Sequence, residues 1–512
     1  GDAAPGKLAE DAGLTGTSGR GGIELAPQVA GAPQSVAIIG GGIAGLACAS
    51  RLSRLGLRPV VFDTGKNGPG GRASSRLWNG HIVDHAAQFA AAKDPEFAAA
   101  LRGTGAAVRW GDDGRFGVLT GEGFRPTRDG IERWIGLRGF GGIVDAFARD
   151  VDVRRDVWVP PSNGIRREGS SWAVVVPGGR GAHGTERFDA VVIAHNGKCA
   201  ERLTSGTPAA EVHALLRTDF APHLPQKPAA GSGRFTLNQV YSLLFEVPAG
   251  VMPTNFDAAI VDNHSTLRWL SSNTAKFARQ GDGATKGTEA WTALSSAQFG
   301  KKHKVPQEQL PNLPKNDEVT SLMLDAVESA LDLERGVLQR NVVDTKLQLW
   351  GAALPINRWE SPEGADFVWS ASHSIGIAGD WITAAPERAS TIEAAWLSGT
   401  RLAEHIAGGG SQDVGLQLGE SGGKFVPVEG DFGGGGREAA PMWVAEPSAE
   451  PNAGKGAKGY GGRKGAGKGK GSGGSGDWKS FGGSGGGYAG SDDAAGRAAA
   501  SPPPSAANGG GG

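Results

Sequence analysis

The stretch from Ser35 to Arg76 constrains the fold of this chain more than any other feature. Val36 to Ile39 are apolar and rich in β-branched residues, which is typical of a buried strand. The next six residues, Gly40-Gly41-Gly42-Ile43-Ala44-Gly45, satisfy the pattern G-x-G-x-x-G where a helix should begin. Leu46 to Leu55 continue at helical spacing, and Pro59 to Phe62 form a second strand. This order predicts a parallel α/β unit that binds a dinucleotide.

The glycines of this motif have separate physical roles. Gly40 makes the tight turn, Gly42 lets a pyrophosphate approach the backbone, and Gly45 lets helix and strand pack closely. The phosphates are expected at the N-terminus of the helix that Ile43 and Ala44 open, where unpaired N–H groups favour negative charge. A flexible loop is the alternative in a chain with 86 glycines, and the ordered strand, helix and strand argue against it.

Two features after the second strand extend the predicted site. Asp63 closes that strand about twenty residues after the glycines, where a carboxylate accepts hydrogen bonds from a ribose hydroxyl. Gly71 and Arg72 then supply a backbone N–H and a fixed cation, which suit a second contact on a pyrophosphate. The alternative for Arg72 is a surface turn with a solvated side chain.

Composition excludes several classes of protein. A formal net charge of -1 and a pI near 6.9 argue against a uniformly nucleic-acid-binding or membrane-coating surface. The two cysteines, Cys48 and Cys199, provide neither a disulfide framework nor a zinc cluster, and we expect no metal site. The sequence contains no run of about eighteen apolar residues, so it predicts no membrane span. Because the sequence begins with Gly1, we expect a fragment or a processed form, and leave open the cytoplasm or an organelle such as the plastid.

The segment that follows the glycine region carries a family resemblance. Together with the fingerprint, the acid and GGRASSR, the segment VDHAAQFAAAKDPEF from Val83 to Phe97 resembles the flavin-containing amine oxidase superfamily, and within it the renalase-like branch. That branch has an Asp-His-Gly-Ala-Gln-aromatic motif, which residues 84–89 match except that Ala86 replaces the glycine. The replacement matters for the backbone, because alanine resists a positive φ.

The resemblance implies a non-covalently bound FAD whose second half is bound near the end of the chain. Gly379 and Asp380 follow an apolar strand, and Asp380 is expected to accept hydrogen bonds from the ribityl or phosphate side of FAD. A helix from Thr391 to Ala407 would point the N–H groups of Thr391 and Ile392 at the flavin pyrimidine ring, which favours reduction. Backbone groups near Val157 would contact adenine. No cysteine lies near Gly379 to form a covalent link.

The predicted fold class is α/β, with a discontinuous Rossmann-type FAD-binding domain and an inserted α+β substrate domain built on an antiparallel sheet. The FAD-binding domain is assigned to residues 34–90, 140–205 and 341–407, and the substrate domain to residues 91–139 and 206–340. Residues 1–33 are predicted to be a flexible leader, and residues 408–512 a disordered tail rich in Gly, Lys and Ser.

The resemblance also implies a reaction. An FAD-dependent oxidoreductase would take a hydride from a C–H bond next to nitrogen, with oxygen as the expected acceptor and peroxide as the product. Gln88 and Trp350 are expected at the substrate. Lys346 is a candidate for orienting a water near the flavin, against the alternative of a solvated strand-edge lysine. His195 is a candidate base, against the alternative of a positioning residue.

The substrate is predicted from scarcity of tyrosine. Amine oxidases commonly bracket a neutral amine between two aromatic rings, but Tyr241 is the only tyrosine between Gln34 and Ala407. This favours the renalase-like type, which resembles an oxidase of aberrant dihydronicotinamides, over a polyamine oxidase.

Two other functions remain open from the sequence. One is a desaturase or protoporphyrinogen-oxidase-like enzyme on the same fold. The other is a non-catalytic, RNA-associated protein that binds through its tail, because the tract from Lys455 to Lys470 is basic, rich in glycine and interrupted by Tyr460. A solubilising tail with no RNA contact is the simpler interpretation of that tract.

Overall fold

A parallel sheet is built around the glycine motif in the computed structural model, which describes residues 32–177, 183–224, 233–253, 255–278, 287–417 and 422–428. All of these residues lie in one unit of the chain, Gly1–Val444, and the second unit, Ala445–Gly512, contains none of them. Nearly all of the predicted leader therefore lies outside the described residues. The same holds for the tail beyond residue 428, including the basic tract from Lys455 to Lys470.

The strands are numbered in chain order. They are β1 (Ser35–Ile39), β2 (Arg58–Phe62), β3 (Ser75–Trp78), β4 (His81–Asp84), β5 (Ala90–Ala92), β6 (Ala107–Arg109), β7 (Phe116–Thr120), β8 (Gly123–Pro126), β9 (Glu132–Gly136), β10 (Asp152–Arg154), β11 (Ile165–Glu168), β12 (Ser171–Pro177), β13 (His183–Phe188), β14 (Ala190–Ile193), β15 (Thr218–Phe220), β16 (Phe235–Leu237), β17 (Val240–Pro248), β18 (Ala258–Val261), β19 (Leu267–Ser272), β20 (Thr288–Ser295), β21 (Asp344–Trp350), β22 (Asn357–Glu360), β23 (Val368–Ser370), β24 (Ile375–Ile377) and β25 (Lys424–Pro427).

The helices are numbered in the same way. They are α1 (Ile43–Arg54), α2 (Pro95–Gly103), α3 (Phe140–Ala148), α4 (Gly197–Thr204), α5 (Ala210–Leu216), α6 (Asn273–Ala278), α7 (Ala297–Lys302), α8 (Pro314–Ala330), α9 (Val337–Asn341) and α10 (Ile392–Ala407). Short 3-10 turns form at Gly71–Ala73, Gln307–Asn312 and Pro386–Arg388.

The nucleotide-binding sheet has the spatial order β10-β2-β1-β14-β24-β23. Neighbouring strands are parallel from β10 to β24, and only β23 runs antiparallel to its neighbour. A parallel sheet covered on both faces needs apolar residues at successive positions, which is why Val36 to Ile39 are all buried. This arrangement confirms the predicted Rossmann-like α/β fold.

The two faces of this sheet are covered by helices and by the three-stranded antiparallel sheet of β11, β12 and β13. Val36 and Ile38 pack into a core formed with α1, α3 and α10. Ala37 and Ile39 face the opposite way, toward α4, α5 and Trp172 of β12. The alternation follows from the two-residue period of a strand. β10 has three residues and is therefore shorter than the strand-like stretch, Val151 to Val159, that the sequence suggests.

Helices α1 and α10 pack directly on each other, although they lie near opposite ends of the folded unit. Gly399 of α10 lies against α1, where a Cβ atom would overlap the carbonyl oxygen of Ala44. The absence of a side chain therefore lets the two helix backbones approach closely. The two helices that the sequence assigns to separate halves of the nucleotide site are neighbours in space.

A second, seven-stranded sheet has the order β21-β17-β20-β19-β18-β7-β8. It is antiparallel except for the parallel pairing of β18 with β7. One face packs on α8, where Val319, Met323 and Val327 are buried against Leu243 and Phe245 of β17. The other face carries an aromatic cluster toward the nucleotide-binding part, formed by Phe89, Trp110, Phe116, Trp269 and Trp350.

Two strands lie outside the regions to which the sequence assigns them. β21 was assigned to the FAD-binding domain, but it pairs with β17 along seven positions and forms an edge of the second sheet. β25 falls in the predicted tail, but it pairs with β22, and Phe425 packs against Trp359 and Trp381. Folded structure therefore continues past residue 408, where β25 forms a two-stranded sheet with β22.

Candidate functional site

The glycine turn connects β1 to α1 with the geometry that a dinucleotide requires. A Cβ atom at Gly45 would overlap the carbonyl oxygen of Gly40, so the turn is closed tightly on the helix. A Cβ atom at Gly42 would meet nothing within 4 Å, so the space in front of the helix is open. Gly42 is the N-cap residue and offers no side-chain cap, and Ile43 and Ala44 begin the first turn without an acidic residue. These N–H groups are available to an anion.

Asp63 is fixed beside this turn. Its carboxylate accepts hydrogen bonds from the N–H groups of Gly41 and Gly65, each at 2.8 Å. Backbone groups near Val157 were expected to contact adenine, and the N–H of Val157 donates to the carbonyl oxygen of Asp63 at 2.9 Å. Asp63 and Val157 therefore lie together beside the glycine turn, and the predicted contact of this region with adenine stays a prediction.

Arg72 and Asp380 form a bidentate ion pair across 308 positions of sequence, with N–O distances of 2.9 and 3.0 Å. Arg72 also donates to the carbonyl oxygen of Ala353 at 2.8 Å. The turn that carries Arg72 is held on the glycine motif, because Gly70 N–H donates to Gly41 at 2.7 Å. Gly71 has a φ of 53°, which suits a residue without a side chain. The ion pair thus joins two regions that the sequence predicted separately.

The start of α10 lies next to this ion pair. Asp380 accepts a backbone hydrogen bond from Ser390 at 2.8 Å, and Gly379 N–H donates to Ser398 at 3.0 Å. Thr391 is the N-cap, and its hydroxyl accepts from Ala394 N–H at 3.1 Å. The N–H groups of Ile392 and Glu393 precede that bond, so the first turn keeps its donors for a ligand.

Glu393, a buried residue of this turn, directs its charge away from the helix end. Its carboxylate accepts from Lys93 N–H at 2.7 Å and from Asp94 N–H at 2.6 Å, and lies 3.3 Å from the Arg388 guanidinium. Nothing in the sequence predicts this contact. Its effect is to tie α10 to the start of α2 and to pair an acid whose charge would otherwise offset the positive potential at the N-terminus of α10.

His85 stacks on Trp350, the residue that was expected at the substrate. Their rings stack with centroids 5.4 Å apart and an angle of 4° between the planes. Trp350 Nε1 donates to the carbonyl oxygen of His85 at 3.3 Å. Burial, together with the nearby charges of Arg76 and Lys346, lowers the pKa of His85 to about 3. The imidazole is therefore neutral at physiological pH. Lys346 lies close enough to act electrostatically on this ring.

Gln88 has its polar groups engaged within the protein. Its amide nitrogen donates to the carbonyl oxygens of Asp84 and Ala86, at 2.8 and 3.2 Å, and its amide oxygen accepts from Ser271 at 2.9 Å. Both amide hydrogens are used within the protein and not for the expected contact with a substrate. Gln88 instead links residues 84–89 to β19. Ala86 itself has no positive φ, and the alanine is accommodated without backbone strain.

A buried ion pair explains why the motif begins with an acid. Lys276 Nζ lies 2.6 Å from Asp84 Oδ2, and neither side chain is exposed. The other carboxylate oxygen accepts from Ser75 Oγ at 2.5 Å and from Phe140 N–H at 2.9 Å. Burial lowers the pKa of Lys276, against the opposing effect of Asp84. Asp84 therefore joins β3, α3 and α6, and no periodicity in the sequence could have indicated Lys276.

His195 lies at the glycine turn. Its Nδ1 is 3.0 Å from the carbonyl oxygen of Ile39, and its Cβ lies 3.2 Å from the position that a Cβ at Gly40 would take. Burial lowers the pKa of this imidazole. These contacts lie at the ends of β1 and β14, so His195 is packed against the glycine turn.

Comparison with known proteins agrees with the fold. Residues 38–103 match the family of NAD(P)-binding Rossmann-like domains. Three solved structures are similar in the course of the chain: putrescine oxidase bound to putrescine (TM-score 0.49, 12% identity, 73% of this chain and 99% of the other covered), cyclohexylamine oxidase from Brevibacterium oxydans IH-35A (0.49, 12%, 75% and 100%) and reduced UDP-galactopyranose mutase (0.49, 11%, 73% and 96%). Likeness at this level is too weak to decide a function.

Fold and turn geometry together define a dinucleotide-binding protein with a Rossmann-like domain. Among the residues described, no helix combines the length and the apolar character that crossing a membrane requires.

Proposed function

We propose that this chain is an FAD-dependent oxidoreductase, with the cofactor bound between the N-termini of α1 and α10. The ion pair of Arg72 with Asp380 carries the proposal, because it connects the glycine turn to the start of α10 through a continuous series of contacts. A nicotinamide dinucleotide needs only the first helix of a Rossmann unit. A second helix with open N–H donors at the far end of the site fits a cofactor whose ring gains negative charge on reduction.

The residues of the site fit FAD along its length. Asp63 lies at the end of β2, where it would accept hydrogen bonds from ribose hydroxyls. The open space at Gly42 and the uncapped first turn of α1 suit the pyrophosphate. Arg72 and Asp380 hold each other in place, and together they supply guanidinium donors for a phosphate and carboxylate acceptors for the ribityl hydroxyls. The cysteine nearest in sequence to Gly379 is Cys199, so we propose that FAD is bound without a covalent link.

Bound FAD supplies a two-electron acceptor that can pass its electrons on to oxygen as peroxide. The chain's own residues would orient the substrate and exclude water. When a C–H bond next to nitrogen breaks, its electron pair and hydrogen leave together, and the nitrogen lone pair forms a C=N bond with the carbon. This step needs no protein base, which agrees with a neutral His85 and with the position of His195 at the glycine turn.

The charges on the substrate side favour a neutral or anionic substrate over an alkylammonium ion. Arg76 and Lys346 both act on His85, so two positive charges lie near the ring that stacks on Trp350. Tyr241 is buried and donates its hydroxyl to the carbonyl oxygen of His303 at 2.7 Å, so it does not bracket an amine. We therefore propose a dihydronicotinamide-type substrate and place Lys346 among the residues that select it, in addition to its proposed role in orienting a water.

Anaerobic reduction tests this proposal. The FAD-loaded protein is mixed with NADH, with dihydronicotinamide isomers that carry the hydride at other ring positions, and with putrescine. Bleaching of the visible flavin band by a dihydronicotinamide, and peroxide release when air is admitted, are the expected results. Bleaching by putrescine alone would contradict the proposed substrate class.

A matched pair of lysine variants tests the charge argument. Lys346→Met should weaken reduction by anionic dihydronicotinamides, because one of the two positive charges is removed. Lys424→Met is the control, since its side chain is 70% exposed on β25. Equal effects of the two substitutions would contradict a selective role for Lys346.

Acid precipitation should release the flavin into the supernatant, and retention in the pellet would contradict non-covalent binding.

A further inference from the structure

His85 has one ring nitrogen whose hydrogen-bond partner can be assigned from its surroundings. Its Nε2 lies 3.3 Å from the hydroxyl oxygen of Ser74. That hydroxyl donates its single hydrogen to the carbonyl oxygen of Gly71 at 2.8 Å. Ser74 can therefore only accept from His85, and Nε2 carries the imidazole proton.

The other nitrogen, Nδ1, is consequently a bare acceptor. His85 is 2% exposed, and Nδ1 has no hydrogen-bond partner within the described part of the chain. The imidazole does not gain a second proton at physiological pH, because burial and the charges of Arg76 and Lys346 hold its pKa at about 3. A buried acceptor left in this state is costly, since it has given up its bond to water.

The surroundings of His85 connect it to the cofactor side of the site. Ser74 directly follows the turn of Gly71 and Arg72, and the N–H of Ala87 donates to the carbonyl oxygen of Arg72 at 2.9 Å. The ring itself is fixed by its stack on Trp350, so Nδ1 has a defined direction in the absence of a ligand. A fixed, dehydrated acceptor beside a dinucleotide site is suited to a hydrogen-bond donor of the bound molecule.

We propose that His85 Nδ1 accepts a hydrogen bond from an O–H or N–H donor of the flavin half of FAD, and that His85 is a positioning residue for the cofactor. The inference rests on the proposed FAD site. The ribityl chain and the pyrimidine ring both carry donors of this kind, and adenosine lies at the other end of the site beside Asp63. The neutral imidazole selects a donor without adding charge next to the flavin.

Two substitutions separate the acceptor from the stacked ring. His85→Phe keeps a ring for the stack on Trp350 and removes both nitrogens. His85→Asn loses the stack but places an amide oxygen where Nδ1 stands. FAD titrations of the apoprotein, followed by flavin fluorescence, should show FAD binding weakened about tenfold or more in His85→Phe and largely restored in His85→Asn. His373→Phe, at a histidine hydrogen-bonded to Glu211 away from the glycine turn, is the control.

A second measurement needs no substitution. In wild-type protein labelled with ¹⁵N-histidine, the Nδ1 resonance of His85 should be that of an unprotonated nitrogen and should move upfield when FAD is added. An unmoved resonance, or a His85→Phe variant that folds and binds FAD as tightly as wild type, would overturn the role of His85 and leave the proposed function standing. Failure of wild-type protein to bind FAD would instead overturn the proposed function.

Discussion

Asp84 and Lys276 form an ion pair inside the folded unit. Both side chains are fully buried, 192 positions apart in sequence, and 2.6 Å separates their charged atoms. Breaking such a pair is costly because the remaining charge stays buried without its partner. Asp84 keeps two other hydrogen bonds, from Ser75 and Phe140, which limits the loss.

Lys276→Met is therefore expected to lower the free energy of unfolding by about 3 kcal/mol, measured by urea denaturation. Adding Asp84→Asn should recover more than half of this loss, because the amide retains hydrogen-bonding capacity and carries no charge. A single variant within about 1 kcal/mol of wild type would show that the pair is solvated in solution.

His85 gives stability a dependence on pH. Its pKa is about 3 in the folded chain and 6.5 ordinarily, with burial the main cause and Arg76 and Lys346 the charges that add to it. Between these values the unfolded chain binds a proton that the folded chain does not, so stability falls as the pH falls below 6.5.

From pH 8 to pH 5, wild type should lose about 2 kcal/mol more stability than His85→Asn. Denaturant titrations of both proteins at the two pH values measure this difference. Parallel losses in wild type and variant would mean that His85 is protonated in the folded state at pH 5.

Where the glycine turn meets α1, Gly42 and Gly45 differ in the space around them, so we expect opposite effects of substituting them. A Cβ atom at Gly42 meets nothing within 4 Å, and its φ of -72° is open to any residue. A Cβ atom at Gly45 would overlap the carbonyl oxygen of Gly40. The proposed site therefore uses the open space at Gly42 for the cofactor, whereas the close contact at Gly45 serves packing.

Gly42→Ala should leave the thermal midpoint of the apoprotein within a few degrees of wild type and weaken FAD binding about tenfold or more, because the methyl occupies space meant for the pyrophosphate. Gly45→Ala should lower the thermal midpoint in the absence of cofactor, because helix and turn are forced apart. Differential scanning fluorimetry with and without FAD distinguishes the two, and identical behaviour of the variants would contradict the assigned roles.

At the scale of the whole molecule, the folded unit extends to the end of β25. Trp369 Nε1 donates to Gly410 at 2.8 Å, and Trp359 Nε1 donates to Gly415 at 3.0 Å. Phe425 lies 5.1 Å from the ring of Trp359. Each indole N–H is buried and would lose its acceptor if the chain ended at Ala407.

A chain that ends at Val428 should therefore keep the thermal midpoint and FAD affinity of the longer chain, whereas one that ends at Ala407 should unfold at a lower temperature. Circular dichroism melts of the three lengths provide the comparison. Equal melting of the two truncated chains would mean that residues 408–428 add nothing to the folded unit.

The sequence was sufficient for the parts of the molecule that depend on local order. The glycine turn, α1, β2, α10 and the parallel sheet follow from periodicity and turn chemistry, which act between near neighbours. Arg72 and Asp380 were predicted separately, and their pairing was not predicted. Three contacts could not be predicted from the sequence: Asp84 with Lys276, Glu393 with the start of α2, and β25 with β22. Each joins residues that are far apart in the chain, and such contacts produce no regular spacing in the sequence.

The flavin content of wild-type protein shows whether the chain binds FAD between the N-termini of α1 and α10. Protein purified in the presence of FAD, or apoprotein titrated with FAD, is passed through a desalting column, and its visible absorption spectrum is recorded. A flavin spectrum at about one FAD per chain, lost in Gly42→Ala at the same FAD concentration, is the predicted result. A folded wild-type protein that leaves the column without flavin would show that the proposed FAD site is wrong.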